Sequence, residues 1–165
     1  MFVEKATIKK CLMVYQLLRE QFLECSLDEA WQFFSSPYNL PRISPPEMDF
    51  RIVSNLQNDK IYEGLKIDYT VRPLFHIKLK WKSEIRGCRS HHSFIDYQLK
   101  GPYKFWSHYH EFIPYNNGVL MRDILRYEVP FGIFGDFINF ILIRRTLDYI
   151  FDYRRDIINE LFDQK

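Results

Sequence analysis

The chain has 165 residues, 47% of them hydrophobic, which is one domain's worth of polypeptide with a sizeable core. Lys and Arg number 23 against 21 Asp and Glu, a formal charge of +2, so the field that draws proteins onto nucleic acid is nearly absent, and abundant apolar residues exclude a disordered chain. Aromatic residues reach 18%, with 15 Phe, 11 Tyr and 3 Trp, a composition that fills cores and lines apolar ligand cavities.

Residues 1–12 lack periodicity and read as a loose extension ahead of a domain over 13–165, with Met13 an alternative start. Lys5, Lys9 and Lys10 precede an apolar run that Gln16, Arg19 and Glu20 soon interrupt, so no secretory leader is expected. Cys11, Cys25 and Cys88 lack CxxC spacing and fit neither a disulfide framework nor a zinc site, so reduced thiols and a cytoplasmic location are expected.

Val14–Cys25 has the β-branched and aromatic content of a strand, although Leu17-Leu18 blurs its alternation. Ser26-Leu27-Asp28-Glu29 is an S-x-x-E capping box, which starts a helix at Leu27 that stops near Ser35-Ser36-Pro37. Four prolines in the next ten residues support only a short helical turn and a loop.

Strands then follow one another. Leu65, Ile67, Tyr69 and Val71 alternate with polar residues; Ile77, Leu79, Trp81, Ser83 and Ile85 share one face while His76, Lys78, Lys80, Lys82, Glu84 and Arg86 form the other. Further strands are expected at about 47–55, 92–100, 103–114 and 119–129, with turns at Asn58-Asp59, Gly87, Gly101-Pro102 and Asn117-Gly118. After Pro130 and Gly132 one helix runs to the end, with Phe137, Ile141, Leu147, Ile150, Phe151, Ile158 and Leu161 as its apolar stripe. The most hydrophobic window, Phe131 to Ile143, contains Asp136 and Asn139 and falls short of the ~20 residues of a membrane span.

This order, together with FFSSPYNLPRISPP, the GPYKFW-H-H-F pattern, LMRDILRYEVPFG and IFDYR, resembles the START-like, or SRPBCC, superfamily over residues 14–163, and within it an uncharacterised bacterial branch. The resemblance implies an α+β helix-grip (Bet v 1-like) fold, a curved antiparallel sheet wrapped around a long C-terminal helix with two short helices after the first strand. It also implies a small hydrophobic ligand, of lipid, isoprenoid, quinone or polyketide-like type, held in an internal cavity by a carrier, chaperone or sensor.

The residues themselves add a site. A two-residue turn at Asn117-Gly118 would set Phe112 opposite Asp123, His110 opposite Leu125, His108 opposite Tyr127 and Trp106 opposite Val129. Around Gly101-Pro102, Trp106 faces Gln98, His108 faces Asp96 and His110 faces Phe94. Glu111, Arg122, Arg126 and Glu128, with Ser107 and Tyr109, lie on the opposite face, so Trp106, His108, His110 and Phe112 point inward. The wall then joins Asp96, Gln98, His108, His110, Asp123 and Tyr127 with Tyr69, Trp81, Phe94, Trp106, Phe112 and Met121, and Phe151 covers it from the helix.

Buried polar groups cost about 1–3 kcal/mol each when unpaired, so this set implies a mutual network, water or a ligand. Asp96, His108 and Tyr127 are the candidates for acid–base chemistry of cyclase, dehydratase or hydrolase type, against the plainer reading of a satisfied polar network that fixes register. His108-x-His110 with Asp96 or Asp123 invites a metal reading, but two histidines without a compelling third ligand are common in sheets; no metal and no cofactor are expected. His91-His92 reads as surface. Arg144-Arg145 reads as a solvated pair with Asp148 or as a charge over the cavity mouth, and Arg154-Arg155 as solvated. The remaining alternative is an interaction module docking a protein or membrane surface through Phe131, Phe134 and Phe137. No RNP-like motif, phosphate-binding loop or nucleophile elbow is present.

Overall fold

The computed structural model describes residues 14–73, 77–130 and 132–162. The extension, Cys11, Met13, His76 and Phe131 lie outside the described residues.

Strand β1 (Tyr15–Leu23) leads into helix α1 (Leu27–Phe34), then short 3-10 turns at Pro37–Ile43 and Pro46–Met48, then β2 (Arg51–Ile52), β3 (Lys66–Val71), β4 (Leu79–Arg89), β5 (Ser93–Lys100), β6 (Phe105–Tyr115) and β7 (Gly118–Glu128). The chain closes with α2 (Ile133–Ile138), a π-helical segment (Asn139–Ile143) and α3 (Arg144–Phe162). The seven strands form one antiparallel sheet in the order β1-β7-β6-β5-β4-β3-β2, so the first strand closes against the last and the hairpins fill the space between. The α+β architecture expected from the sequence is the one present.

Local chemistry sets the start of α1. At α1 the Glu29 amide donates to Ser26 Oγ at 3.2 Å, while the Ser26 amide donates to the Glu29 carboxylate at 2.9 Å; two orphan amides are thereby satisfied. β1 alternates poorly in sequence because its inner face carries Arg19 and Gln21. These reach α3 instead of an apolar core, Arg19 pairing with Asp148 and Gln21 Nε2 donating to Asn159 Oδ1 at 2.6 Å. That pairing removes Asp148 as the partner expected for Arg144 or Arg145.

Three sequence expectations need correction here. The strand expected at 47–55 is reduced to Arg51–Ile52, because the prolines set a 3-10 turn that ends on Asp49 in the left-handed region (φ 42°). β4 begins at Leu79, leaving Ile77 outside it and exposed. The terminal helix is interrupted by the π segment, whose wider turn carries Phe137 and Ile141 away from the sheet. Leu147, Ile150, Phe151 and Ile158 are the buried stripe, while Leu161 at the far end is partly exposed.

The β6–β7 register is also corrected. Tyr115 pairs with Gly118, so the turn is Asn116-Asn117, with Asn116 at φ 51°. Gly118 is needed elsewhere: a Cβ there would sit 2.3 Å from the Leu23 carbonyl and 2.6 Å from the Phe22 ring, so only glycine lets β1 approach. The shift is two residues, which preserves the faces while changing partners: His110 faces Asp123, His108 faces Leu125, Trp106 faces Tyr127 and Phe112 faces Met121. The β5–β6 register is as expected, Asp96 opposite His108 and Phe94 opposite His110.

Candidate functional site

Between the concave face of the sheet, α3 and the proline-rich turns lies a cavity of about 130 Å³. Of the residues expected to bind ligand, Tyr69, Trp81, Phe94, Asp96, Trp106, His108, His110, Met121 and Phe151 line it. The strand period places them: Tyr69 on β3, Trp81 on β4, Phe94 and Asp96 on β5, and Trp106, His108 and His110 on β6 all point to the same side of the sheet. Four others do not line it. Gln98 turns into the β5–β6 connection, where its Nε2 donates to the Tyr103 carbonyl at 2.7 Å. Phe112 packs in an aromatic cluster with Trp31, Phe34 and Phe94. Asp123 lies behind the two histidines, and the Tyr127 hydroxyl donates to Asn139 Oδ1 at 2.9 Å.

The expected row of Asp96, His108 and Tyr127 is therefore not formed. Tyr127 stands opposite Trp106 and is bonded to the π segment. Although Asp96 faces His108 across the β5–β6 ladder, the carboxylate that His108 uses is Asp123: Nε2 donates to Oδ1 at 3.1 Å. His110 Nδ1 lies 2.6 Å from the same oxygen but has no aligned hydrogen bond. All three of these residues are buried, and the imidazole rings lie 3.9 Å apart centre to centre. Phe94 stacks on His110 at 4.4 Å and Phe151 meets the His108 ring edge-on at 5.4 Å, which fixes both rings.

Electrostatics divide these groups. Burial, with His110 adding to it, pushes His108 down to about 4 against the opposing hydrogen bond to Asp123, so this imidazole is neutral at pH 7. Burial alone would push Asp123 up, but the adjoining His110 and the hydrogen bond from His108 hold it well below the usual carboxylate range. Asp96 moves the other way: burial raises it, and His110, Ser83 and Arg154 offset only part of that.

Arg154 is a cavity-lining residue that sequence reasoning missed. It is buried, lines the cavity and interacts electrostatically with Asp123 and Asp96, while its Nε has no hydrogen-bond partner. A signal was available, since Arg154 lies four residues from both Ile150 and Ile158 and so shares their buried face. Ser83 and Asn139 were also missed, and Asn139 is drawn inward by the π segment.

No protein-family model matches the chain, and no curated protein is similar to it in sequence. Solved structures do match its shape. A START superfamily protein from Mycobacterium smegmatis superposes with a TM-score of 0.66 at 12% identity, covering 88% of this chain and 98% of that one. The fold is the START-like helix-grip fold. Other helix-grip structures are equally similar. Norcoclaurine synthase from Thalictrum flavum gives a TM-score of 0.66 at 15% identity over 100% of this chain and 98% of that one. Ginseng major latex-like protein 151 from Panax ginseng gives 0.65 at 12% identity over 90% and 97%. The helix-grip likeness thus spans an enzyme and proteins whose names state no reaction.

Proposed function

We propose that this helix-grip domain binds a small, mainly apolar molecule with a polar head, in the cavity between sheet and α3. The observation that carries the reading is a pair of unpaired polar atoms at the wall of an otherwise aromatic cavity: Asp96 Oδ1 and Arg154 Nε are buried without hydrogen-bond partners. At about 1–3 kcal/mol each, two such atoms cost several kcal/mol unless a ligand head or water meets them. They offer both donors and acceptors, which suits a carbonyl or hydroxyl group better than a bare anion or cation. The volume narrows the class further: 130 Å³ is close to the ~150 Å³ that accommodates a benzene-sized molecule. A ring of quinone or polyketide-like type fits; a long acyl chain requires the wall to part.

The test is titration with an environment-sensitive apolar fluorophore, followed by displacement with small cyclic ketones and phenols. Saturable one-to-one binding is expected, weakened about tenfold (about 1.4 kcal/mol) by Asp96→Asn or Trp106→Ala. Absence of saturable binding, or affinity unchanged in both variants, overturns the reading. An enzyme in the same cavity is favoured by one observation, a neutral His108 on its wall beside a carboxylate, the arrangement of a general base. Turnover of an identified ligand, abolished by His108→Ala while binding persists, would establish it.

A second surface supports contact with an anionic bilayer. Phe134, Phe137 and Phe140 are 80%, 66% and 75% exposed, and Ile138 and Ile141 extend the same ridge. Exposed Arg144 and Arg145 follow it along the helix, placing guanidinium groups beside the ridge where lipid phosphates could meet them when it enters the headgroup layer. No helix among the described residues is long and apolar enough to cross a membrane. Co-sedimentation with phosphatidylglycerol-containing vesicles is expected, with loss in Phe137→Ser/Phe140→Ser and in Arg144→Glu/Arg145→Glu. No sedimentation, or a dimer in solution that Phe137→Ser/Phe140→Ser dissociates, overturns it.

A further inference from the structure

The period of two along β6 puts His108 and His110 on one face, and the β6–β7 ladder sets Asp123 directly opposite His110. One ligand atom from each residue, an imidazole nitrogen or a carboxylate oxygen, lies within 4.8 Å of the other two. Asp123 Oδ1 is 2.6 Å from His110 Nδ1 and 3.1 Å from His108 Nε2. In a tetrahedral site with bonds of about 2.0–2.2 Å, neighbouring ligand atoms are about 3.4 Å apart, so displacements of about 1 Å complete the geometry.

We propose that His108 Nε2, His110 Nδ1 and Asp123 Oδ1 form a binding site for a divalent first-row transition-metal ion of the zinc type. This goes beyond the ligand reading and stands whether or not the cavity takes an organic molecule.

Two further observations support the site. The 2.6 Å approach of His110 Nδ1 to Asp123 is not an aligned hydrogen bond, and that nitrogen has no other partner. Second, the rings are held before any ion arrives, by Phe94 on His110 and by Phe151 and Trp106 on His108.

Access and openness are also defined. Asp123 also lines a small cleft between β1 and α3 whose wall is of mixed charge, with Glu20 and Asp152 beside Arg19, Arg154 and Arg155. On the other side, both histidines face the cavity. Three protein ligands with a further position turned to a cavity is the arrangement of ions that polarise a bound group, whereas purely structural ions have four protein ligands. An ion held there would take the Nε2 lone pair of the His108 tautomer that carries its proton on Nδ1.

Chelator-treated full-length protein titrated with Co²⁺ and, by calorimetry, with Zn²⁺ tests this. The expected result is one equivalent of either ion, visible d–d absorption of low-coordinate Co²⁺, and affinity at least tenfold weaker in His110→Ala and in Asp123→Asn. His91→Ala, which changes the exposed His91–Asp28 pair, is expected to leave the affinity unchanged. Wild-type protein that takes up no stoichiometric ion overturns the proposal without reference to any variant. So does an affinity that folded His110→Ala and Asp123→Asn leave intact.

Discussion

Replacing Arg154 by methionine isolates the charge balance of the buried wall. The guanidinium is buried, has no direct ion pair among the described residues, and stands electrostatically against Asp123 and Asp96. Methionine fills a similar volume but leaves two carboxylates facing one another across the histidines. Removing one partner of a buried charge set costs about 3–5 kcal/mol, since the remaining charge stays desolvated. For a domain of this length each kcal/mol is worth about 2–4 °C in Tm, so Arg154→Met is expected to melt roughly 6–20 °C lower. Asp96→Asn is the control that gives the loss its cause. Asparagine removes the Asp96 charge and keeps an oxygen that can accept from Ser83, and Arg154→Met/Asp96→Asn is expected to recover about 1–2 kcal/mol of the deficit as a coupling between neighbours. Urea denaturation followed by circular dichroism measures all three. Arg154→Met within about 0.5 kcal/mol of wild type, or a double variant no better than the single, would refute the reasoning.

Tyr127→Phe is expected to lose about 1–3 kcal/mol, because it strands a buried Asn139 oxygen; Tyr127→Phe/Asn139→Val should regain most of it in the same urea experiment. Gly118→Ala brings a methyl group 2.3 Å from the Leu23 carbonyl and is expected to cost at least about 1–3 kcal/mol by overpacking, read as a lower Tm. Ser26→Ala removes the cap oxygen of α1 and is expected to cost about 1 kcal/mol; Ser26→Asp, which keeps an acceptor, should restore it.

The elements that the sequence made legible are those where one local rule acted alone. The capping box at Ser26 set the start of α1, and alternation against lysines set the inner face of β4. The inward direction of Trp106, His108, His110 and Phe112 followed from charged residues on the other face. Competing demands hid the rest. Asn117-Gly118 looks like a turn, but Gly118 is small because β1 crosses it, and the turn moved to Asn116-Asn117. Asp123 therefore came to His110, while the expected contact of His108 with Tyr127 vanished. Arg19 and Gln21 hid the inner face of β1 because their partners lie on α3, far along the chain. Arg154 looked like half of a solvated pair, although its spacing from Ile150 and Ile158 placed it in the core.

Native mass spectrometry of freshly purified protein bears most directly on the cavity as a holder of a small apolar molecule. A mass excess of one cyclic organic molecule, removed by organic extraction and absent from a variant with Met121→Trp filling the cavity wall, is the predicted result. Protein that carries no such mass and binds no cyclic ketone or phenol on incubation would contradict the account.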